Sequence, residues 1–162
     1  MTTEQQTIPL TSFMEGLSAT LRELFETVPR PSTMLDPGDA FFETLPTISA
    51  EEASRPAANG ISNIAAEVNH TTFYIDVALQ YLRGQEPGQV DWQGSWNVGA
   101  VDDAEWTALQ ERLRTAYDAL QEFVVQPSSW AHPQAIQGGV AMAGHCAYHL
   151  GEIRRTLGMI RG

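Results

Sequence analysis

Two histidines four residues apart, His145 and His149, lie in the segment GHCAYHLGEIRR near the C-terminus. On an α-helix, residues at this spacing point within about 40° of each other and differ by about 6 Å in height. Two imidazoles placed in this way can bind one metal ion. The same spacing also suits two core histidines whose ring nitrogens are hydrogen-bonded to a carbonyl, a carboxylate or water. The pair alone therefore leaves a metal site and ordinary packing both open.

A third histidine, His70, lies in the middle of a predicted helix, on the side that also carries Phe73, Val77 and Tyr81. A polar ring on such an apolar, aromatic side needs a partner. Three histidines from two helices supply three nitrogen ligands and leave a coordination position for water or substrate, as catalytic divalent-metal sites do. This arrangement is more specific than the pair, and it favours the metal site.

The pair is not the zinc-protease motif H-E-x-x-H. That motif needs a glutamate directly after the first histidine to act as general base, and Cys146 occupies the position here. On a helical wheel the Cys146 thiol points about 100° away from His145, toward the apolar face. We interpret Cys146 as a small core residue and not as a ligand or nucleophile.

Four further residues have two interpretations each. His132 precedes the last predicted helix and is interpreted as a loop residue, although it could approach a metal. Glu152 either orients a ligand ring or is solvated or ion-paired at the surface. Tyr74 and Tyr81 either line a pocket or pack in the ordinary way. The sequence does not choose between these alternatives.

Apolar residues at three- and four-residue steps are typical of amphipathic helices, and no alternating strand pattern accompanies them. Ser12 with Glu15 and Asp102 with Glu105 have the spacing of helix-capping pairs. The pattern predicts an all-α fold, a helical bundle in one domain spanning residues 1–162. The predicted helices cover about residues 10–28, 57–83, 102–125 and 134–161.

Two long connections separate the first three predicted helices, and both are long enough to cross an end of the bundle. The first contains LDPGDAFF, which predicts a short helical turn with Asp36 as its cap and Pro37 in its first position. The second contains Trp92 and Trp96. A loop of this length is often functional, but two tryptophans also suit a segment that covers the end of a core.

The excess of acidic residues limits the kinds of molecule that the protein is expected to bind. The chain has 20 acidic and 9 basic residues, a formal net charge of -11, which disfavours nucleic acids and anionic membrane surfaces as partners. The N-terminal segment MTTEQQTIPLTSF does not resemble a leader, and no stretch is long and apolar enough to span a bilayer. The single cysteine excludes an internal disulfide framework. We therefore expect a soluble, cytoplasmic protein that acts on a small-molecule substrate.

Three segments resemble those of a known family. GHCAYHLGEIRR resembles the H-x-x-x-H-x-G-x-I-R signature in the last helix of the DinB/YfiT-like family of four-helix metalloproteins. ISNIAAEVNHTTFYIDVALQYLRG is similar to the second helix of that family, which carries its remaining histidine. QGSWNVGAVDDAEWTALQERLRTAYDAL is similar to the tryptophan-containing loop and third helix. The resemblance covers the chain from the first predicted helix to the end.

The resemblance implies a four-helix bundle with long crossover connections, often as a homodimer. It implies that His70, His145 and His149 bind a divalent metal, zinc or nickel, with water completing the coordination. Several relatives are transferases or isomerases that use a low-molecular-weight thiol such as mycothiol or bacillithiol, and this activity is the expectation here. The alternatives are a metal-dependent hydrolase and a non-catalytic, metal-binding or stress-related bundle. The family name refers to DNA damage but implies no contact with DNA.

Overall fold

The computed structural model describes residues 7–57, 60 and 62–162. These residues form six α-helices: α1 (Leu10–Phe25), α2 (Phe41–Thr44), α3 (Ala50–Ser54), α4 (Ile64–Leu82), α5 (Asp103–Val125) and α6 (Ala135–Arg161). Short 3-10 helices lie at Leu45–Thr47, Gly94–Trp96 and Pro127–Ala131. The described part of the chain contains no named strand, only an isolated bridge between Pro56 and Asn63. The all-α prediction is confirmed.

The four long helices pack around one apolar core. Helix α4 packs against α5 and α6, and α1 packs against the same two helices. Helices α1 and α4 therefore occupy opposite corners, so the connection between them crosses the bundle. Side chains from all four helices are fully buried in this core, among them Leu21, Ile75, Leu113, Met142 and Ile153. Among the described residues, none of the helices combines the length and the hydropathy of a membrane-spanning segment.

Of the four long helices, α4 and α5 begin after a residue whose side chain caps the helix, whereas α1 and α6 do not. Helix α5 begins at the predicted pair, where Glu105 N donates to Asp102 Oδ1 (2.8 Å) and Asp102 N donates to Glu105 Oε2 (2.9 Å). Helix α1 does not use Ser12, because it already begins at Leu10, after Pro9, and no side chain caps it. It ends at Phe25, earlier than residue 28.

The predicted helix at 57–83 begins only at Ile64. Upstream, Ala57 N donates to Ser62 O (2.7 Å), and Gly60 adopts a φ of 67°, which lies outside the helical range. Asn63 then caps α4, since its Oδ1 accepts from Ala66 N at 2.7 Å. Residues 58, 59 and 61 of the predicted segment lie outside the described residues.

The first connection contains more helix than predicted. Asp36 and Pro37 lie in a non-helical turn, and the short helix α2 starts further on, after Ala40. Helix α3 was not predicted, although Ser49 and Glu52 form a capping box at its start. The connection is fixed to the bundle at Trp106, whose Nε1 donates to Ile48 O at 2.7 Å.

A buried carboxylate holds the early part of this connection on α1. Glu23 is only 3% exposed and accepts hydrogen bonds of 2.5–3.0 Å from the backbone N–H groups of Thr33, Met34 and Leu35. Burial alone would raise the pKa of Glu23, but these hydrogen bonds outweigh it and lower the pKa. The ionised side chain therefore stabilises the loop.

Candidate metal centre

The three predicted histidines meet between α4 and α6. His70 comes from the middle of α4, and His145 and His149 come from successive turns of α6. One ring nitrogen from each lies within 4.8 Å of the other two. The ring centroids are 4.4 Å apart for His145 and His149, 5.3 Å for His70 and His145, and 4.9 Å for His70 and His149. These separations have the scale of a single metal coordination shell.

The tautomer of His70 follows from its hydrogen bond to the second connection. Its Nδ1 lies 2.7 Å from Ser95 Oγ. Ser95 Oγ donates its own hydrogen to Trp92 O, also at 2.7 Å. Because that hydrogen is already used, Ser95 Oγ is the acceptor and His70 Nδ1 carries the proton. The lone pair of His70 is therefore on Nε2, the nitrogen not bonded to Ser95.

His149 has an anionic partner. Its Nδ1 lies 2.7 Å from Glu67 Oε2, and both side chains are buried. A carboxylate only accepts hydrogen bonds, so Nδ1 of His149 carries a proton, and in the neutral form of this ring the lone pair is on Nε2. Glu67 is not predicted from the sequence, although it lies three residues before His70 on the same helix.

His145 differs from the other two histidines. Its ring stacks on Tyr74, with centroids 3.6 Å apart and planes at 16°. Its Nε2 is buried without a hydrogen-bond partner, and it is the sole such side-chain nitrogen or oxygen found in the described residues. Leaving a buried polar atom unpaired costs about 1–3 kcal/mol. The centre thus contains a buried nitrogen that has no partner among the described residues.

The centre favours neutral imidazoles. Burial, followed by the neighbouring His149, lowers the pKa of His70 to about 4, with Glu67 opposing the shift. Burial, followed by His149 and His70, lowers the pKa of His145 to about 4 as well. Both rings are therefore neutral near pH 7, which is the form that binds metals.

Aromatic side chains surround the histidines. Trp96, from the second connection, stacks on His70 at 3.9 Å and 17°. Trp92 lies 5.5 Å from Phe73 and 6.1 Å from Tyr74, and it is 43% exposed. Tyr148 packs edge-on against His149 at 5.0 Å and is 64% exposed. The tryptophan-containing loop thus covers the centre and provides part of its rim.

The structure separates the remaining candidates. Cys146 is fully buried in the core, and burial raises its pKa to about 12, in agreement with its interpretation as a core residue. His132 is exposed in a loop and does not join the cluster. Glu152 pairs with Arg155 at 2.7 Å, so its surface alternative is the observed one. Tyr74 contacts the centre, whereas Tyr81 is exposed.

The cluster brings together three side chains that could bind a metal and, among the described residues, no fourth. Within the described residues, the group of His, Cys, Asp and Glu side chains that converges here consists of the three histidines alone. A structural zinc site ordinarily has four protein ligands, whereas a catalytic site has three and leaves a position for water or substrate. The donor set has the second form.

The described residues thus define a helical protein in which two helices, α4 and α6, bring three histidines together. The chain belongs to the DinB superfamily, whose family model matches residues 38–153. The matched segment includes His70, His145 and His149. No curated protein and no solved structure matches the chain.

Proposed function

We propose that the protein is a divalent-metal-dependent enzyme whose ion is held by His70, His145 and His149. The observation that carries the proposal is the buried, unpartnered Nε2 of His145 beside two further imidazoles. Placing three imidazoles together at the edge of a core favours folding only if their ring nitrogens have partners. A divalent ion would be a common partner for all three.

The residues present fit such an ion. His70 and His149 each use Nδ1 for a hydrogen bond within the protein, which leaves Nε2 available as a donor of electrons. Three imidazole nitrogens suit zinc and nickel, and also copper or iron. When bound, the ion would supply positive charge and Lewis acidity, which favour the anionic form of a thiol or of water.

We propose that the nucleophile comes from a co-substrate and that it is a low-molecular-weight thiol. The only thiol of the chain, Cys146, faces the core and has a raised pKa, so it is not available as a nucleophile. Trp92 and Tyr148 expose apolar ring surface at the rim, where they can bind a small molecule and exclude water. The family resemblance favours a transferase or isomerase over a hydrolase.

The first experiment measures metal content. Protein purified without a polyhistidine tag is analysed by elemental mass spectrometry, together with His145→Ala and the matched control His132→Ala. We expect about one divalent ion per chain in the wild type and in His132→Ala, because His132 lies outside the cluster. We expect a large loss in His145→Ala. Equal metal content in all three proteins, or none in the wild type, would show that the centre is not a metal site.

The second arm tests the thiol. The zinc-loaded protein is titrated calorimetrically with cysteine, glutathione, mycothiol and bacillithiol, with His145→Ala as the control. Binding of at least one thiol to the wild type alone is expected. If the wild type holds zinc but none of the thiols binds, the thiol-dependent reaction is wrong while the metal site stands.

A further inference from the structure

Glu67 is a buried acid with an unusual environment. It lies in the first turn of α4 and is 6% exposed. Its Oε2 accepts from His149 Nδ1 at 2.7 Å, and its Oε1 accepts from Ser62 Oγ at 3.0 Å. Within the described residues, its one ion-pair partner is His149. The Glu67 carboxyl group is thus held between Ser62, just before α4, and the ring of His149.

Both carboxyl oxygens of Glu67 act as hydrogen-bond acceptors. Each oxygen receives a hydrogen bond, and the first turn of a helix stabilises negative charge through the unpaired N–H groups at its start. A buried carboxylate without an arginine or lysine partner is nevertheless costly. Positive charge beyond the ring of His149, on the side of the three-histidine cluster, would offset that cost.

We propose that Glu67 is a positioning residue: its carboxylate holds the His149 ring in the tautomer that binds the metal, and its charge increases the metal affinity of the centre. This inference rests on the proposed metal site. A fixed hydrogen bond from Nδ1–H keeps the lone pair of Nε2 directed away from Glu67, and the negative charge makes the imidazole a stronger donor. His70 has only the neutral Ser95 in the equivalent place.

Zinc affinity of Glu67→Gln tests the proposal. The amide has nearly the same shape as the carboxylate but lacks its charge. We expect the dissociation constant for Zn²⁺, measured by competition with a chromophoric chelator, to rise about 10- to 100-fold. The matched control is Glu152→Gln, which removes one negative charge three residues from His149 without removing a bond to it. The control is expected to change the constant by less than about threefold.

A spectroscopic measurement tests the tautomer directly. Long-range ¹H–¹⁵N correlation spectra of the metal-free wild type are expected to show His149 protonated at Nδ1. In Glu67→Gln, we expect the Nε2–H tautomer to become populated, because the amide can donate to Nδ1. A role of Glu67 in stability alone would leave the tautomer unchanged, so the spectrum separates positioning from folding.

The outcomes are distinguishable. A wild type that binds no zinc refutes the metal site itself. A wild type that binds zinc as tightly as Glu67→Gln refutes the role of Glu67 and leaves the metal site standing. If Glu67→Gln does not fold, the wild-type spectrum still decides, since a His149 ring protonated at Nε2 overturns the proposal.

Discussion

Replacing Glu23 by glutamine should destabilise the fold and release the early part of the first connection. The carboxylate accepts from three backbone N–H groups, and hydrogen bonds to a charged group contribute about 1.5–3 kcal/mol each when fully buried. Thr33 and Met34 lie at the surface, where water can replace the lost acceptor, and glutamine keeps one oxygen. We therefore expect a loss of about 2 kcal/mol, or about 4–8 °C in Tm for a chain of this size.

Urea unfolding followed by circular dichroism measures this loss, with Glu15→Gln as the control. Glu15 lies on the same helix but is exposed, so its replacement should change the free energy of unfolding by less than about 0.5 kcal/mol. The pH dependence provides a second test. The pKa of Glu23 is lower in the folded state than its ordinary value of 4.5, so its stabilising effect is complete above that value and disappears as the pH falls below it.

The difference in stability between the wild type and Glu23→Gln should therefore shrink in acid, because a protonated glutamate resembles glutamine. Two results would refute the reasoning. One is a loss no larger than that of Glu15→Gln. The other is a difference that persists unchanged well below the ordinary pKa of a glutamate.

Two further predictions concern α6. A Cβ atom at Gly139 would lie 2.9 Å from both Leu17 Cδ2 and Trp130 Cη2, whereas one at Gly144 would meet nothing within 4 Å. Gly144→Ala should therefore raise the free energy of unfolding in urea by up to about 1 kcal/mol, because alanine favours the helix and meets no neighbour. Gly139→Ala should lower it by about 1 kcal/mol, because the cost of overpacking exceeds the same gain in helix propensity. Equal effects of the two substitutions would contradict the packing at Gly139. Cys146 should react with a thiol reagent at least about 100-fold more slowly in the native protein than in urea, because it is buried and its raised pKa disfavours the thiolate. Rapid labelling of the native protein would show that the core around Cys146 opens.

Local sequence signals predicted the long helices well. Each has an apolar stripe along its length, and Asp102 with Glu105 marks the start of α5 because that signal lies within four residues. The sequence pattern predicts the start of α4 too early. Small and apolar residues before Ile64 keep a helical spacing, but the positive φ of Gly60 interrupts the helix there. Helix α3 was missed because its five residues are too few to show a period, despite the capping pair of Ser49 and Glu52.

Some contacts of the three-histidine centre can be predicted from the sequence, and others cannot. The relation of His145 to His149 is fixed by one helical turn and can be read directly from the sequence. The approach of His70 depends on how α4 packs on α6, so the residues alone indicated it only as a favoured alternative. Glu67 contacts a histidine 82 positions away, and no local pattern reports such a contact. Ser95 contacts His70 only because the loop between α4 and α5 folds back over α4.

The contacts between α4 and α6 are difficult to explain as a device for stability. Folding gains little from placing Glu67 and three imidazoles in an interface that apolar side chains of similar size could fill, since replacing buried polar groups in this way is often neutral or stabilising. Ser95 and Glu67 satisfy one nitrogen each on His70 and His149, but His145 keeps a buried nitrogen without a partner. A bound cation would offset two of these costs together, because it gives the orphaned nitrogen a partner and the buried carboxylate a nearby positive charge. We therefore propose that a cation shared by the three histidines offsets the cost of this polar interface.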